Sequence, residues 1–369
     1  MPRSPLLRKL RPESDKLLHL DMLRFFASVA IVVTHFRAAL MSFSTNADAF
    51  QPYFYPLGAA VDLFFVISGF VISWVYCDRI DSSRSYLDFI RRRIARLGPL
   101  HWATLLFFTL VGIFALARGI QLDTAAKYDW RCLPSNILLI HAWQGCSGTF
   151  NTVSWSISAE LAMYLLFPIL LTLVRRRLRV AGLLVVGLLV LGIAAPRWTT
   201  DYPFVNTDIR RALQGFLFGI LLFAGRTHVM RLPYPGLVMT VAAALIVAGV
   251  VAEVERNWLI PLVYLVAVAA IASDLAGSAG VVVRTLAPLG QLTYSMYMLH
   301  PVVQSLALTL VGEKILGLSG LAMSAWALLW IPLTGVLGYF SLMLFENPSR
   351  RWLSGSSGRE AKRECVTAP

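Results

Sequence analysis

Residues 20–36 read LDMLRFFASVAIVVTHF, a largely apolar run that carries Arg24 near its start and His35 near its end. A helix of this length nearly crosses the hydrocarbon layer of a bilayer, where charged and titratable side chains are costly enough to mark function. The step from Arg24 to His35 is close to three helical turns. Both side chains therefore leave the same face, about 16 Å apart along the axis.

Working outward from that run, the whole chain is built for a membrane. Of its 369 residues, 57% are hydrophobic and only 14% charged, and the mean hydropathy is +0.67, far above an ordinary soluble domain. Apolar runs of spanning length fall at about 20–42, 57–77, 99–118, 155–174, 179–195, 208–224, 234–252, 257–273, 288–312 and 320–345. The expected fold is thus an all-α integral membrane protein of about ten transmembrane helices. Its net charge of +13 comes in short clusters between the runs, which reads as topology and not as a nucleic-acid surface. With both termini cytoplasmic, Arg91, Arg92, Arg93, Arg96 and the run Arg175, Arg176, Arg177 and Arg179 lie inside, as the positive-inside rule requires. The division that follows is a basic cytoplasmic segment 1–19 with no cleavable signal peptide, a transmembrane domain 20–345 and a short basic tail 346–369. No soluble domain is expected at either end, and the setting is a multi-pass protein of a bacterial inner membrane.

The four cysteines have no zinc spacing, and no metal is expected. Cys132 and Cys146 share the long outer loop 119–153, where a disulfide is allowed but not required. Cys77 and Cys365 fall on the reducing side and read as free thiols. Within that loop, 133–142 is too short to span and reads as a re-entrant or interfacial piece.

Placed by depth, the polar residues form a ladder. Arg24, Arg93 and Arg96 lie toward the cytoplasmic mouth, His300 near mid-depth, and His35, Asp62 and Glu160 in the outer half. Guanidinium groups at the inner mouth suit a phosphate-bearing cytoplasmic molecule. An imidazole with a nearby carboxylate suits general-base activation of a hydroxyl. The arginine cluster also has a topological explanation, Arg24 can snorkel to inner headgroups, and His35 can be an interhelical hydrogen-bonder. A carrier or flippase for an anionic or lipid-linked glycan would use the same ladder without covalent change, although matched broken helices are not evident.

These residues also sit in phrases that resemble the acyltransferase-3 family of integral membrane acyltransferases, in order and over nearly the whole chain. The first-helix phrase joins Arg24 to His35. VDLFFVISGFVIS (Val61 to Ser73), RRRIARLGP with Arg93 and Arg96, SWSISAELAMY with Glu160, LTYSMYMLHPVV (Leu292 to Val303) and FENPSRR (Phe345 to Arg351) follow. The resemblance implies an enzyme that takes an acyl group, acetyl foremost, from cytoplasmic acetyl-CoA or another acyl-CoA. It delivers that group to a hydroxyl of an extracytoplasmic or exported saccharide or glycolipid. On that pattern His35 is the catalytic candidate, oriented by Asp62 or Glu160. Arg24, Arg93 and Arg96 hold the donor, and Tyr294, Ser295 and His300 line the passage.

Overall fold

The computed structural model describes residues 10, 16–120, 125–194 and 207–354. Among these residues every regular element is helical and none is a strand. Ten principal helices follow the ten apolar runs: α1 Leu18–Leu40, α2 Ala60–Tyr76, α3 Ser83–Ala117, α4 Trp155–Arg176, α5 Leu178–Ala194, α6 Thr207–Ala224, α7 Pro235–Val251, α8 Arg256–Leu275, α9 Thr293–Val303 and α10 Gly320–Ser341. A shorter helix, α11, covers Asn347–Ser354. Six segments are long and apolar enough to cross a membrane: Leu18–Leu40, Gln51–Tyr76, Ser83–Ala117, Thr152–Arg176, Arg256–Leu275 and Gly320–Ser354. Two more, α5 and α7, are apolar but shorter, at 17 residues each.

The chain divides into two compact units, Met1–Ser68 with Leu221–Tyr339, and Gly69–Ile220 with Phe340–Pro369. In the first unit α1 packs on α8, on α9 and on the turn Ala287–Leu292 that leads into α9. That turn comes so near α1 that a Cβ on Gly290 would collide with the backbone carbonyl of Asp21. Glycine is what permits this approach. The start of α1 is fixed from a distance. No side chain of its own caps it, and Asp274, at the end of α8, accepts from the backbone N–H of His19 at 2.8 Å and of Leu20 at 3.1 Å. The same carboxylate meets His19 Nδ1 at 2.7 Å. Two of the N–H groups that a helix start leaves unpaired are thereby satisfied inside the protein.

In the second unit α3 begins well before the expected residue 99, at Ser83. Ser82 and Ser85 form a reciprocal cap there, and the polar stretch that follows holds no residue that would break a helix before Pro99. Hydropathy registers only the apolar part of such a helix, so the polar part was not foreseen. The expected short tail after 346 likewise opens with α11, which packs on α3 and whose Leu353 carbonyl accepts from Arg91 Nε at 2.9 Å. The segment 1–19 lies outside the described residues except for Leu10 and 16–19, as does 355–369 of the tail.

Large apolar side chains stay open on the outer helices, as with Leu183, Val186 and Val190 on α5 and Leu237, Val241 and Val247 on α7. Helix α7 buries only Ala242. Apolar faces of that extent need lipid, not water, as their neighbour.

Candidate active site

In the first unit, α1 and α9 bring two imidazoles together. The ring of His35 lies 4.8 Å from that of His300, centroid to centroid, with the planes tilted by 50°. Gln304, one turn beyond His300, donates through Nε2 to the backbone carbonyl of His35 at 3.0 Å and so ties the two helices at this level. From Gln304 to Ile315 the helix continues with π-type turns, a departure from α geometry that is frequent at functional sites.

His300 is fully buried. Its Nδ1 faces the carbonyl of Met296 at 3.2 Å, and its Nε2 has no hydrogen-bond partner among the described residues. Tyr297 stands edge-on to His300 at 5.8 Å and to Phe64 at 6.0 Å. Ser295 is fully buried near Gly338, where an added Cβ would come within 3.3 Å of the serine Cβ. Tyr294 is half-buried. Asp62, in the first turn of α2, has no solvent exposure at all. Arg24 pairs with Asp21 one turn before it, at 3.6 Å.

The second unit holds Arg93, Arg96 and Glu160. Arg93 is enclosed by aromatic rings, with its guanidinium carbon 5.4 Å from the centroid of Tyr76, 5.8 Å from Tyr164 and 5.9 Å from Phe89. One guanidinium nitrogen donates to the Tyr76 hydroxyl at 3.4 Å, and Nε is buried without a hydrogen-bond partner. No carboxylate among the described residues forms an ion pair with it. Tyr164 donates its hydroxyl to Glu160 Oε1 at 2.5 Å. One tyrosine therefore touches both the cation expected at the inner mouth and the carboxylate expected in the outer half. Cation–π contacts of this kind are worth about 0.5–2 kcal/mol each and leave the charge unneutralised.

The loop between α3 and α4 is ordered around a buried polar core. Cys132 and Cys146 form a disulfide with their Cα atoms 5.6 Å apart. His101, from α3, stacks almost parallel on His141 of the loop at 5.6 Å. His101 Nε2 meets the Asn136 carbonyl at 2.8 Å, and His141 Nε2 meets Ser154 Oγ at 3.1 Å. Burial, followed by the neighbouring His101, pushes His141 down to about 3. Burial likewise pushes Lys127, which sits 4.1 Å over the Phe108 ring, down to about 8. Segment 133–142 is a helical turn, Leu133–Ile137, followed by a 3₁₀ turn, His141–Trp143. Cys77 differs from expectation, since it is disulfide-bonded and not a free thiol; Cys365 lies outside the described residues.

The structure thus joins His35 with His300, and links Arg93 to Glu160 through Tyr164. Sequence reasoning placed a carboxylate beside His35 and did not foresee a second imidazole there. It also missed Asp274, which falls one residue past the apolar run that ends at 273. The aromatic cage of Arg93 was partly readable, because Phe89 lies one turn before it on the same helix face.

Residues 17–347 match the acyltransferase-3 family model, described as an acyltransferase domain. Acyltransferase MdmB of Streptomyces mycarofaciens is 28% identical, over 97% of this chain and 96% of its own length. O-acetyltransferase OatA of Staphylococcus aureus is 30% identical over 55% of this chain, a match that spans 34% of the OatA length. Peptidoglycan O-acetyltransferase OatA of Listeria monocytogenes is 23% identical over 53% of this chain and 30% of its own. No solved structure matches.

Proposed function

Because this chain belongs to the acyltransferase-3 family and is an acyltransferase, we propose that it moves an acyl group, acetyl foremost, from cytoplasmic acyl-CoA to a hydroxyl of an extracytoplasmic or exported saccharide. The observation that carries this reading is the imidazole pair of His35 and His300 inside a helical membrane domain. Neutral imidazole is the side chain suited to taking a proton from a hydroxyl near neutral pH. The saccharide acceptor is supported by the Listeria relative, whose name specifies peptidoglycan O-acetylation.

In this mechanism His35 removes the proton of the acceptor hydroxyl, and the oxygen attacks the thioester carbonyl. The C–O ester bond forms, the C–S bond breaks, and the thiolate takes the proton back from His35. Arg93 supports the donor end. A guanidinium with no carboxylate partner among the described residues, steadied by three rings, keeps its charge for the anionic groups of the nucleotide. Arg96, on the same helix as Arg93, supports the donor with it, and Arg24 is the donor-binding candidate of the first unit. Asp62 orients the acceptor side, and Glu160, held by Tyr164, fixes one wall of the Arg93 cage. Tyr294 and Ser295 line the passage with His300.

The topology that suits this transfer has ten spans, both termini cytoplasmic and the protein in a bacterial inner membrane. It uses no metal. Family membership makes the chain an enzyme, which leaves the carrier reading without an observation in its favour.

The experiment is His35→Ala in a strain lacking the wild-type gene, with mass spectrometry of the surface saccharide. The variant is expected to reach the membrane at normal levels while the ester content stays at that of the deletion. Ester content restored to the wild-type level would remove His35 from the mechanism.

A further inference from the structure

The tautomer of His300 can be read from its neighbours. Its Nδ1 faces the Met296 carbonyl at 3.2 Å, and a carbonyl oxygen only accepts hydrogen bonds. The neutral ring therefore carries its proton on Nδ1, and Nε2 is left with a lone pair. That lone pair is fully buried and meets no donor among the described residues. A buried acceptor with nothing to accept is rare in a native protein and calls for a use. The ring packed against it is that of His35, at 4.8 Å. The backbone of His35 is held at the same level by Gln304, from the next turn of the His300 helix.

We propose that His300 is the positioning partner of His35, its Nε2 lone pair receiving the N–H of the imidazolium that His35 becomes. The proposal rests on the reading of His35 as general base. When the acceptor O–H bond breaks, the proton bonds to one ring nitrogen of His35. The other ring nitrogen then presents its N–H to His300, which spreads the positive charge that His35 has gained. The proton on His300 Nδ1 stays with the Met296 carbonyl throughout. A neutral imidazole does this with a smaller desolvation cost than a carboxylate would incur in an apolar span. The present contact is a ring contact and not a hydrogen bond, and it tightens when His35 gains charge, as catalytic hydrogen bonds commonly do.

Substitutions at 300 separate acceptor from filler. Gln places an oxygen close to the position of Nε2, Asn reaches only the position of Nδ1, and Met fills the volume with neither. In proteoliposomes supplied with acetyl-CoA and a saccharide acceptor, H300Q is expected to keep kcat within about tenfold of wild type. H300N and H300M are expected to lose about 100-fold or more in kcat, with KM for both substrates within about threefold. Equal activity of H300M and wild type overturns the proposal, as does a loss in H300M that appears only in KM.

A measurement on the wild-type chain guards against variants that do not fold. ¹⁵N NMR of histidine-labelled protein is expected to find His300 protonated at Nδ1 and bare at Nε2, and the opposite tautomer overturns the proposal. H35A, assayed alongside, keeps the two readings apart. An active H35A removes the general-base reading, whereas an inactive H35A with an active H300M removes only the role of His300.

Discussion

Arg93 shows what a residue-level reading reaches and where it stops. Its type and its position after a run of arginines point to an anion at the membrane boundary, and so does its spacing to Arg96. The rings of Tyr76 and Tyr164 that enclose it come from other helices, and contacts between residues so far apart in sequence leave no trace in local spacing. The cage gives a specific expectation. R93M should raise KM for acyl-CoA by about 10–100-fold with a smaller change in kcat, because a ground-state contact to the donor is lost. R93K should fall between, since a point charge keeps the attraction to the rings but loses the planar fork. Steady-state kinetics on purified protein decide this, and an unchanged KM in R93M would take Arg93 out of donor binding. His35 stands out in the sequence for a simpler reason, that a titratable group inside a spanning run is costly. The ring of His300 also lies against it, a contact that the spacing of the two residues does not announce. Nothing in spacing tells which of several intramembrane polar groups a helix crossing will bring together.

At the scale of elements, most helix positions and starts were readable, and the polar helical segments were not. Hydropathy located the apolar core of every principal helix, but α3 begins in polar sequence at Ser83 and α11 lies beyond the last apolar run. The start of α1 depends on Asp274, which meets two backbone N–H groups and His19 at once. D274A should lower stability by about 1–3 kcal/mol, through the lost cap and the buried donors left unpaired. Denaturant titration in micelles measures it, and D274N, which keeps one carbonyl oxygen, should lose less. The loop between α3 and α4 carries the pH dependence. His141 sits near 3 in the folded loop against an ordinary 6.5, so below about pH 6.5 the unfolded loop takes up a proton that the folded loop refuses. The stability that His141 contributes is complete above that pH and declines as pH falls toward 3. Limited proteolysis of the loop between pH 8 and pH 4 should therefore speed up on the acid side, and H141Q should flatten the profile. A wild-type profile already flat would show that His141 does not titrate as its burial dictates.

For the whole molecule, composition decided the class before any residue was considered. A chain that is 57% hydrophobic, whose regular elements among the described residues are all helical, and which is open along Leu183, Leu237 and Leu321, has lipid as its solvent. The family match over residues 17–347 turns that class into an acyltransferase. In the proposed mechanism the acyl group leaves its donor on one side of the membrane and reaches a hydroxyl on the other through His35. Purified protein in sealed proteoliposomes, with radiolabelled acetyl-CoA outside and a saccharide acceptor trapped inside, tests it most directly. The account predicts that wild type places label on the trapped acceptor as an alkali-labile ester and that H35A places none. Label on the acceptor with H35A at the wild-type rate, or no label inside with an enzyme active on acceptor added outside, would contradict it.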